Sequence, residues 1–412
     1  MVVLVADQFE QSGIDGLKAA GCEVVHDASL DGEALTAALR HSKAEVLVVR
    51  STRVTAAMME AAADLALIVR AGAGYNTIDV AAASSRGIYV SNCPGRNAVA
   101  VAELTFALIT ALDRRVPDNV ADLRSGRWNK KTYAQAEGLK GRTLGLLGYG
   151  AIGREVAVRA QAFGMPLAVW SRRLDPSASP ESLGLQARPA PRVTIASSPV
   201  EVASLSDILS VHVAAVPETK GLVGATLLAR LRHGAMVINT ARAEVMDYDA
   251  LAAAVRSNGL RAGLDVFPGE PSAGTGEYTH PILSLPGVYG THHIGASTEQ
   301  AQEAIAAETV HIVRTFKQTG RVPNCVNLAT RTPATHMLIV RHRDRPGVLA
   351  HVFDQLRAAA INVQETENVI FAGAEAAVAR INLDGKPSDA VLALITSGNE
   401  HILSAHVVTI GP

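Results

Sequence analysis

Apolar residues in the first ninety positions fall in short runs, separated by stretches in which they recur every three or four positions. Runs of four to six residues rich in Val, Ile and Leu read as buried strands, and the stretches between them as amphipathic helices. Strands are predicted over 2–6, 23–26, 46–49, 65–70 and 89–91, and again over 144–147, 167–170, 208–213, 235–239 and 260–265. Strand alternating with helix predicts parallel sheets covered on both faces, here two of them. An Ala-rich apolar helix begins near Asn97 and runs past Leu108, another follows over 297–319, and 174–196, rich in Pro, Ser and Ala, reads as a surface excursion. Beyond Arg321-Val322-Pro323-Asn324 the pattern restarts: strands over 336–341, 363–370, 376–381 and 406–410 enclose two helices, near 388–395 and where Val348, Leu349, Val352, Phe353 and Leu356 share one face. That order is βαββαβ.

A chain of 412 residues implies two or three domains at roughly 150 residues each. Thirty-eight basic against 39 acidic side chains leave a net charge of −1, which gives no footprint for nucleic acid or an anionic membrane. An anionic ligand would have to be met by a local cluster of Arg. Cys22, Cys93 and Cys325 are far apart, odd in number and match no metal-binding or disulfide pattern. They read as three thiols in a reducing compartment, with no metal site. The start has no basic segment before its apolar run, and no apolar stretch is long enough to span a bilayer, so the expectation is a cytoplasmic protein.

The chemistry is carried by four motifs. Gly148-Tyr149-Gly150-Ala151-Ile152-Gly153 follows a predicted strand and opens a predicted helix, 151–163, the context a dinucleotide-binding turn requires. Gly148 permits the tight turn, Gly150 lets the backbone approach a pyrophosphate, and Gly153 allows helix to pack closely on strand. The phosphates would lie on the helix N-terminus at Ala151 and Ile152. Ser171 stands 23 positions after Gly148, where an acidic residue would bind a ribose 2′-hydroxyl and repel a 2′-phosphate. Serine removes that repulsion and Arg172 and Arg173 follow at once, so the cofactor expectation is NAD(P) leaning to NADP, with NAD use open if both Arg side chains are solvated.

Downstream come Arg242, Glu270 and His293, each in its own motif. A guanidinium fork can hold a carboxylate and an imidazole can take a hydroxyl proton, so the set reads as an acid/base site beside the dinucleotide turn. Glu270 would orient the imidazole. Taken singly, each also reads as an ordinary ion pair, turn residue or satisfied polar group, and His292 competes with His293 for the base.

In this order, together with Val49-Arg50-Ser51-Thr52-Arg53-Val54-Thr55 and Arg70-Ala71-Gly72-Ala73-Gly74, the motifs resemble the D-2-hydroxyacid dehydrogenase family over nearly the whole chain. Within that family they are most similar to the branch acting on 3-phosphoglycerate in L-serine biosynthesis. The resemblance implies two Rossmann-like doubly wound domains: a discontinuous substrate domain of residues 1–96 and 297–330, and a dinucleotide-binding domain of residues 97–296. It also implies that Thr240, Ala241, Asp265, Gly295 and Ala296 line the cofactor, that Arg50, Ser51 and Arg53 meet a substrate phosphate, and that Arg70, Gly72 and Gly74 meet its carboxylate. Assembly as a homodimer or homotetramer is implied too, with the loop Trp128-Asn129-Lys130-Lys131 a candidate to cross the interface. Two positions depart from the family pattern: His292 stands where Pro is usual, and Ser171 where an acid is usual. Residues 335–412 resemble an ACT regulatory domain, which implies an amino-acid effector at His342, Asp344 and Asn362, or a role in assembly alone. Glyoxylate, hydroxypyruvate or 2-oxoglutarate reduction is a second reading, and a nucleotide-sensing, corepressor-like binding protein a third.

Overall fold

The computed structural model describes residues 1–184, 192–271 and 275–411. Strands β1 (Val2–Val5), β2 (Glu23–His26), β3 (Val46–Val49), β4 (Leu67–Arg70) and β5 (Tyr89–Asn92) form a parallel sheet in the order β2-β1-β3-β4-β5. Its central strands carry apolar residues on both faces, and each face supports its own core. A second parallel sheet comprises β6 (Leu144–Leu147), β7 (Leu167–Trp170), β8 (Val193–Ile195), β9 (Ile208–Val211), β10 (Met236–Asn239), β11 (Arg261–Leu264) and β12 (Val288–Gly290), in the order β12-β11-β10-β9-β6-β7-β8. The order reverses between β6 and β9. Ligands of open α/β sheets bind at the carboxyl ends of the strands at such a reversal.

Two strands escape the sequence pattern. Val193–Ile195 forms the edge strand β8 inside the segment read as a surface excursion, whose residues 185–191 lie outside the described residues. Val288–Gly290 forms the opposite edge, β12. Both are three-residue edge strands, partly exposed, with too few apolar positions to make a run.

Helix Ala98–Arg114 buries ten residues and packs on helix Ala151–Ala162 over one face of the second sheet, with Phe106 stacked on Phe163 at 5.0 Å between ring centroids. Helix Glu299–Thr319 packs instead on Gln11–Ala19, inserting Ile305, Ile312 and Val313 into the core of the first sheet. The helices approach closely because Gly13 and Gly16 lack side chains: a methyl at Gly16 would lie 2.9 Å from Val310.

Met1–Asn327 and Leu328–Pro412 are two separate compact units. The second consists of β13 (His336–Arg343), helix Val348–Ala358, β14 (Val363–Ile370), β15 (Ala376–Leu383), helix Asp389–Ser397 and β16 (Ile402–Thr409). Its antiparallel sheet runs β14-β15-β13-β16, with Leu338, Val340, Ala379, Ile381 and Leu383 turned into a core shared with Val348, Val352, Leu356 and Ile395. This is the βαββαβ order expected. The last strand begins four residues earlier than its apolar pattern indicated, because Ile402–Ala405 continues the pairing with β13 across the register shift at Arg341/His342.

Candidate active site

Every motif of the first unit ends a strand at its carboxyl end. Gly148 follows β6 with φ +103°, and a methyl there would lie 2.5 Å from the His212 carbonyl oxygen. One at Gly153 would lie 2.3 Å from the Gly148 carbonyl oxygen. Gly150, by contrast, meets nothing within 4 Å: its side faces open space at the N-terminus of helix Ala151–Ala162, which has no side-chain cap. A close-packed first and third glycine beside an open second one fit a pyrophosphate over the helix N-terminus. At the neighbouring carboxyl end, His212 bonds Ser210 through Nε2 at 2.8 Å while its buried Nδ1 has no partner. Burial pushes its pKa down to about 3, so this imidazole is neutral.

His293 and Glu270 form a hydrogen-bonded pair. His293 Nδ1 lies 2.7 Å from Glu270 Oε2, while Glu270 Oε1 accepts the Phe267 N–H at 2.6 Å. Burial acts to raise the Glu270 pKa; hydrogen bonds from His293 and Phe267 and the charges of His293 and Arg242 outweigh it, and the net shift is downward. His293 sits at φ +52°, a left-handed conformation that costs a non-glycine residue about 1–3 kcal/mol. Asp265 enforces it. This carboxylate, 1% exposed, accepts Thr291 Oγ1 at 2.6 Å and the Ile294 and Gly295 N–H groups at 2.9 Å each, pinning the loop on both sides of His293. No hydrogen bond links His292 to Glu270, which assigns the paired imidazole to His293.

Three guanidinium groups lie near one another: the charges of Arg242 and Arg50 act on Arg70, and Arg242 acts on Glu270 as well. Arg242 donates to the Ala241 carbonyl at 2.7 Å and packs on Gly74, where a methyl would lie 1.9 Å from its Nη2. Arg70, at the end of β4, folds over Gly72 in the same way, its Nη1 1.6 Å from where a methyl would stand. Gly72 also has φ +146°, a conformation side chains rarely adopt, whereas at Gly74 only the mobile end of Arg242 stands in the way. Burial, then the charges of Arg242 and Arg50, hold the Arg70 pKa down to about 10, and its buried Nε has no hydrogen-bond partner. Like charges gathered around a largely buried guanidinium make a site for an anion. Arg53 is exposed on the same loop as Arg50.

The remaining cofactor candidates divide. Thr240 is buried against Thr105, with 3.1 Å between hydroxyls, and the Ala241 N–H is taken by Asn239 Oδ1 at 3.0 Å. The Ala296 carbonyl accepts Gln302 Nε2 at 2.6 Å. Ser171 follows β7, half-buried, and the exposed Arg172 faces Glu218 at 3.6 Å.

Residues 106–295 match the model for the D-isomer specific 2-hydroxyacid dehydrogenase, NAD binding domain. A hydroxypyruvate reductase of Thermotoga maritima is 40% identical over 284 residues, 67% of this chain and 85% of that one. The chain belongs to the D-isomer specific 2-hydroxyacid dehydrogenase family. A D-3-phosphoglycerate dehydrogenase of Pongo abelii is 37% identical over 330 residues, 78% of this chain; the match spans 58% of that relative's length. Among solved structures, an NAD+-bound 3-phosphoglycerate dehydrogenase of Entamoeba histolytica superposes with a TM-score of 0.65 at 25% identity, covering 80% of this chain and 99% of that one. Among the described residues no helix is long and apolar enough to cross a membrane, and no group of three His, Cys, Asp or Glu is placed to hold a metal.

Two positioning residues were not singled out from the sequence. Asp7, just after β1, accepts the N–H groups of Arg50 at 2.6 Å and of Ser51 and Thr52 at 3.2 Å each, and the Ser51 hydroxyl at 3.0 Å. It holds the Arg50 loop, and Ser51 spends its hydroxyl there. Asn92 donates to the Ala73 carbonyl at 2.6 Å and steadies the Gly72–Gly74 turn. An acid directly after an apolar strand was the available signal for Asp7, but its partners are some forty residues distant.

In the second unit the three candidate effector residues are not brought together. His342 is 1% exposed, its Nδ1 2.8 Å from the Arg343 carbonyl and its Nε2 3.1 Å from Asn368 Oδ1, so neither ring nitrogen is open to a ligand. It alternates onto the helix-covered face of β13 with Leu338 and Val340. The Asp344 N–H bonds the Glu375 carbonyl. Asn362 instead lines an open groove of about 760 Å³ with Leu349, Phe353, Arg357 and Thr366.

Proposed function

We propose that this chain interconverts a D-2-hydroxy acid and its 2-oxo acid with a nicotinamide dinucleotide, and that the substrate is 3-phosphoglycerate. The observation that carries the reading is the Arg50, Arg70 and Arg242 cluster, joined to the His293–Glu270 pair through Arg242. Arg242 offers a bidentate fork to the substrate carboxylate, with Arg70 behind it. His293 Nε2, the ring nitrogen not engaged by Glu270, takes the proton from the 2-hydroxyl, and Glu270 stabilises the imidazolium that results. The nicotinamide supplies hydride chemistry. Gly148, Gly150, Gly153 and the helix after them hold the pyrophosphate, while Asp265 fixes the loop that presents His293. Arg50 and Arg53, on the loop held by Asp7, meet the phosphate.

Serine at 171 leaves room for a 2′-phosphate and Arg172 and Arg173 offer it charge, so the enzyme accepts NADP(H) at least as well as NAD(H). A homodimer or homotetramer and an amino-acid effector on Leu328–Pro412, read as an ACT domain, complete the proposal. The similarity to the Thermotoga maritima hydroxypyruvate reductase supports a second substrate, hydroxypyruvate. Initial rates with 3-phosphoglycerate, glycerate, 2-hydroxyglutarate and the corresponding oxo acids, each with both dinucleotides, decide between them. A phosphate-bearing substrate favoured by tenfold or more supports the proposal; preference for unphosphorylated acids assigns the cluster to carboxylates, and no turnover with any pair leaves a nucleotide-sensing protein.

A further inference from the structure

The loops after β7 and β9, the strands on either side of β6, are joined by one ion pair. Arg172 directly follows Ser171 at the end of β7; Glu218 lies in the turn Pro217–Thr219 after β9. Both side chains are more than half exposed, at 58% and 65%, and 3.6 Å apart. In the usual arrangement an acid at the end of the strand after the glycine turn excludes a 2′-phosphate, and here that position is neutral.

We propose that Glu218, from the neighbouring loop, tempers the affinity for a 2′-phosphorylated dinucleotide that Ser171, Arg172 and Arg173 otherwise permit, without excluding it. It does so in two ways. It occupies Arg172, the cation a 2′-phosphate would recruit, and it sets a negative charge beside the position that phosphate would take. Ser171, Arg172, Arg173 and Glu218 together carry a formal charge of +1; without Glu218 they carry +2. A ribose bearing a free 2′-hydroxyl gains nothing from that change.

This rests on the dinucleotide reading above, and the test separates the two. Binding of ADP-ribose and of 2′-phospho-ADP-ribose to the full chain is measured by calorimetry for the unsubstituted protein, Glu218→Gln, Arg172→Gln and the double variant. Freeing an exposed ion pair is worth about two- to fivefold in affinity. Glu218→Gln therefore tightens the 2′-phosphorylated ligand by that factor, leaves ADP-ribose unchanged, and loses its effect when Arg172 is also replaced. The gain shrinks at high salt, since both groups are exposed. Equal shifts for both ligands, or a gain that survives Arg172→Gln, overturn the role of Glu218. Failure of the unsubstituted protein to bind either ligand overturns the dinucleotide reading itself.

Discussion

The site turns on a few side chains whose roles differ sharply although they touch. His293→Ala should lower kcat by about 10²–10⁴-fold, the usual cost of a general base. His292→Ala should stay near the unsubstituted rate; the reverse result in steady-state kinetics would move the base to the neighbouring residue. Glu270 makes a prediction in pH. Its folded pKa lies below the ordinary 4.5, so its interactions stabilise the protein above that value and are lost as pH falls through the folded pKa. The melting temperature of Glu270→Gln should trail the parent most at neutral pH and converge with it on acidification. Arg70 works in the opposite sense: a cation whose pKa is brought from 12.5 to about 10 weighs against folding at neutral pH, by up to about 3 kcal/mol. Arg70→Met should therefore raise the melting temperature without ligand and weaken substrate binding, and added phosphate should stabilise it less than the parent. A less stable Arg70→Met would mean that the guanidinium is better compensated than its orphaned Nε indicates.

At the level of elements, the glycine turn separates packing from binding. Gly148→Ala and Gly153→Ala drive a methyl into backbone oxygens at 2.5 and 2.3 Å and should destabilise the fold by about 1–3 kcal/mol. Gly150→Ala meets nothing within 4 Å, so thermal unfolding should be unchanged while dinucleotide affinity falls about tenfold or more. Equal losses of stability at all three positions would contradict the assignment of Gly150 to the ligand. This turn was legible because strand, glycines and helix are contiguous. The same holds for the central strands, which are uninterrupted apolar runs such as Val46–Val49, and fails for β8 and β12, whose exposed edges relax the pattern. Asp7 marks the limit of reading along the chain. The loop it holds follows β3, beside β1 in the sheet, but its sequence distance from Arg50 hides it. Asp7→Asn should raise KM for a phosphorylated substrate more than it lowers kcat, by releasing the Arg50 loop; an unchanged KM would leave Asp7 a purely structural acid.

Across the whole molecule, the sequence placed Arg242, Glu270 and His293 in order, but not the convergence that gives them meaning. Arg70 and Arg242 come from different sheets and meet through Gly72 and Gly74, a relation that no local spacing encodes. The second unit shows the complementary failure. Its βαββαβ order followed from periodicity, yet His342 was assigned to a ligand on motif alone, when alternation along β13 turns it inward with Leu338 and Val340. An effector on this unit therefore has Asn362, Arg357 and the apolar wall of Leu349 and Phe353 to meet it, an amide and a cation suited to an amino-acid carboxylate. Binding alone would not regulate, since a ligand that binds two states equally shifts neither. The prediction is that L-serine or a related amino acid alters the rate of the full chain. Asn362→Ala should weaken that response about tenfold, whereas His342→Asn, which replaces an interior imidazole, should act through stability. A chain ending at Thr330 should keep turnover and lose the response. Calorimetry across the common amino acids that finds no binding to the full chain would leave Leu328–Pro412 as an assembly element.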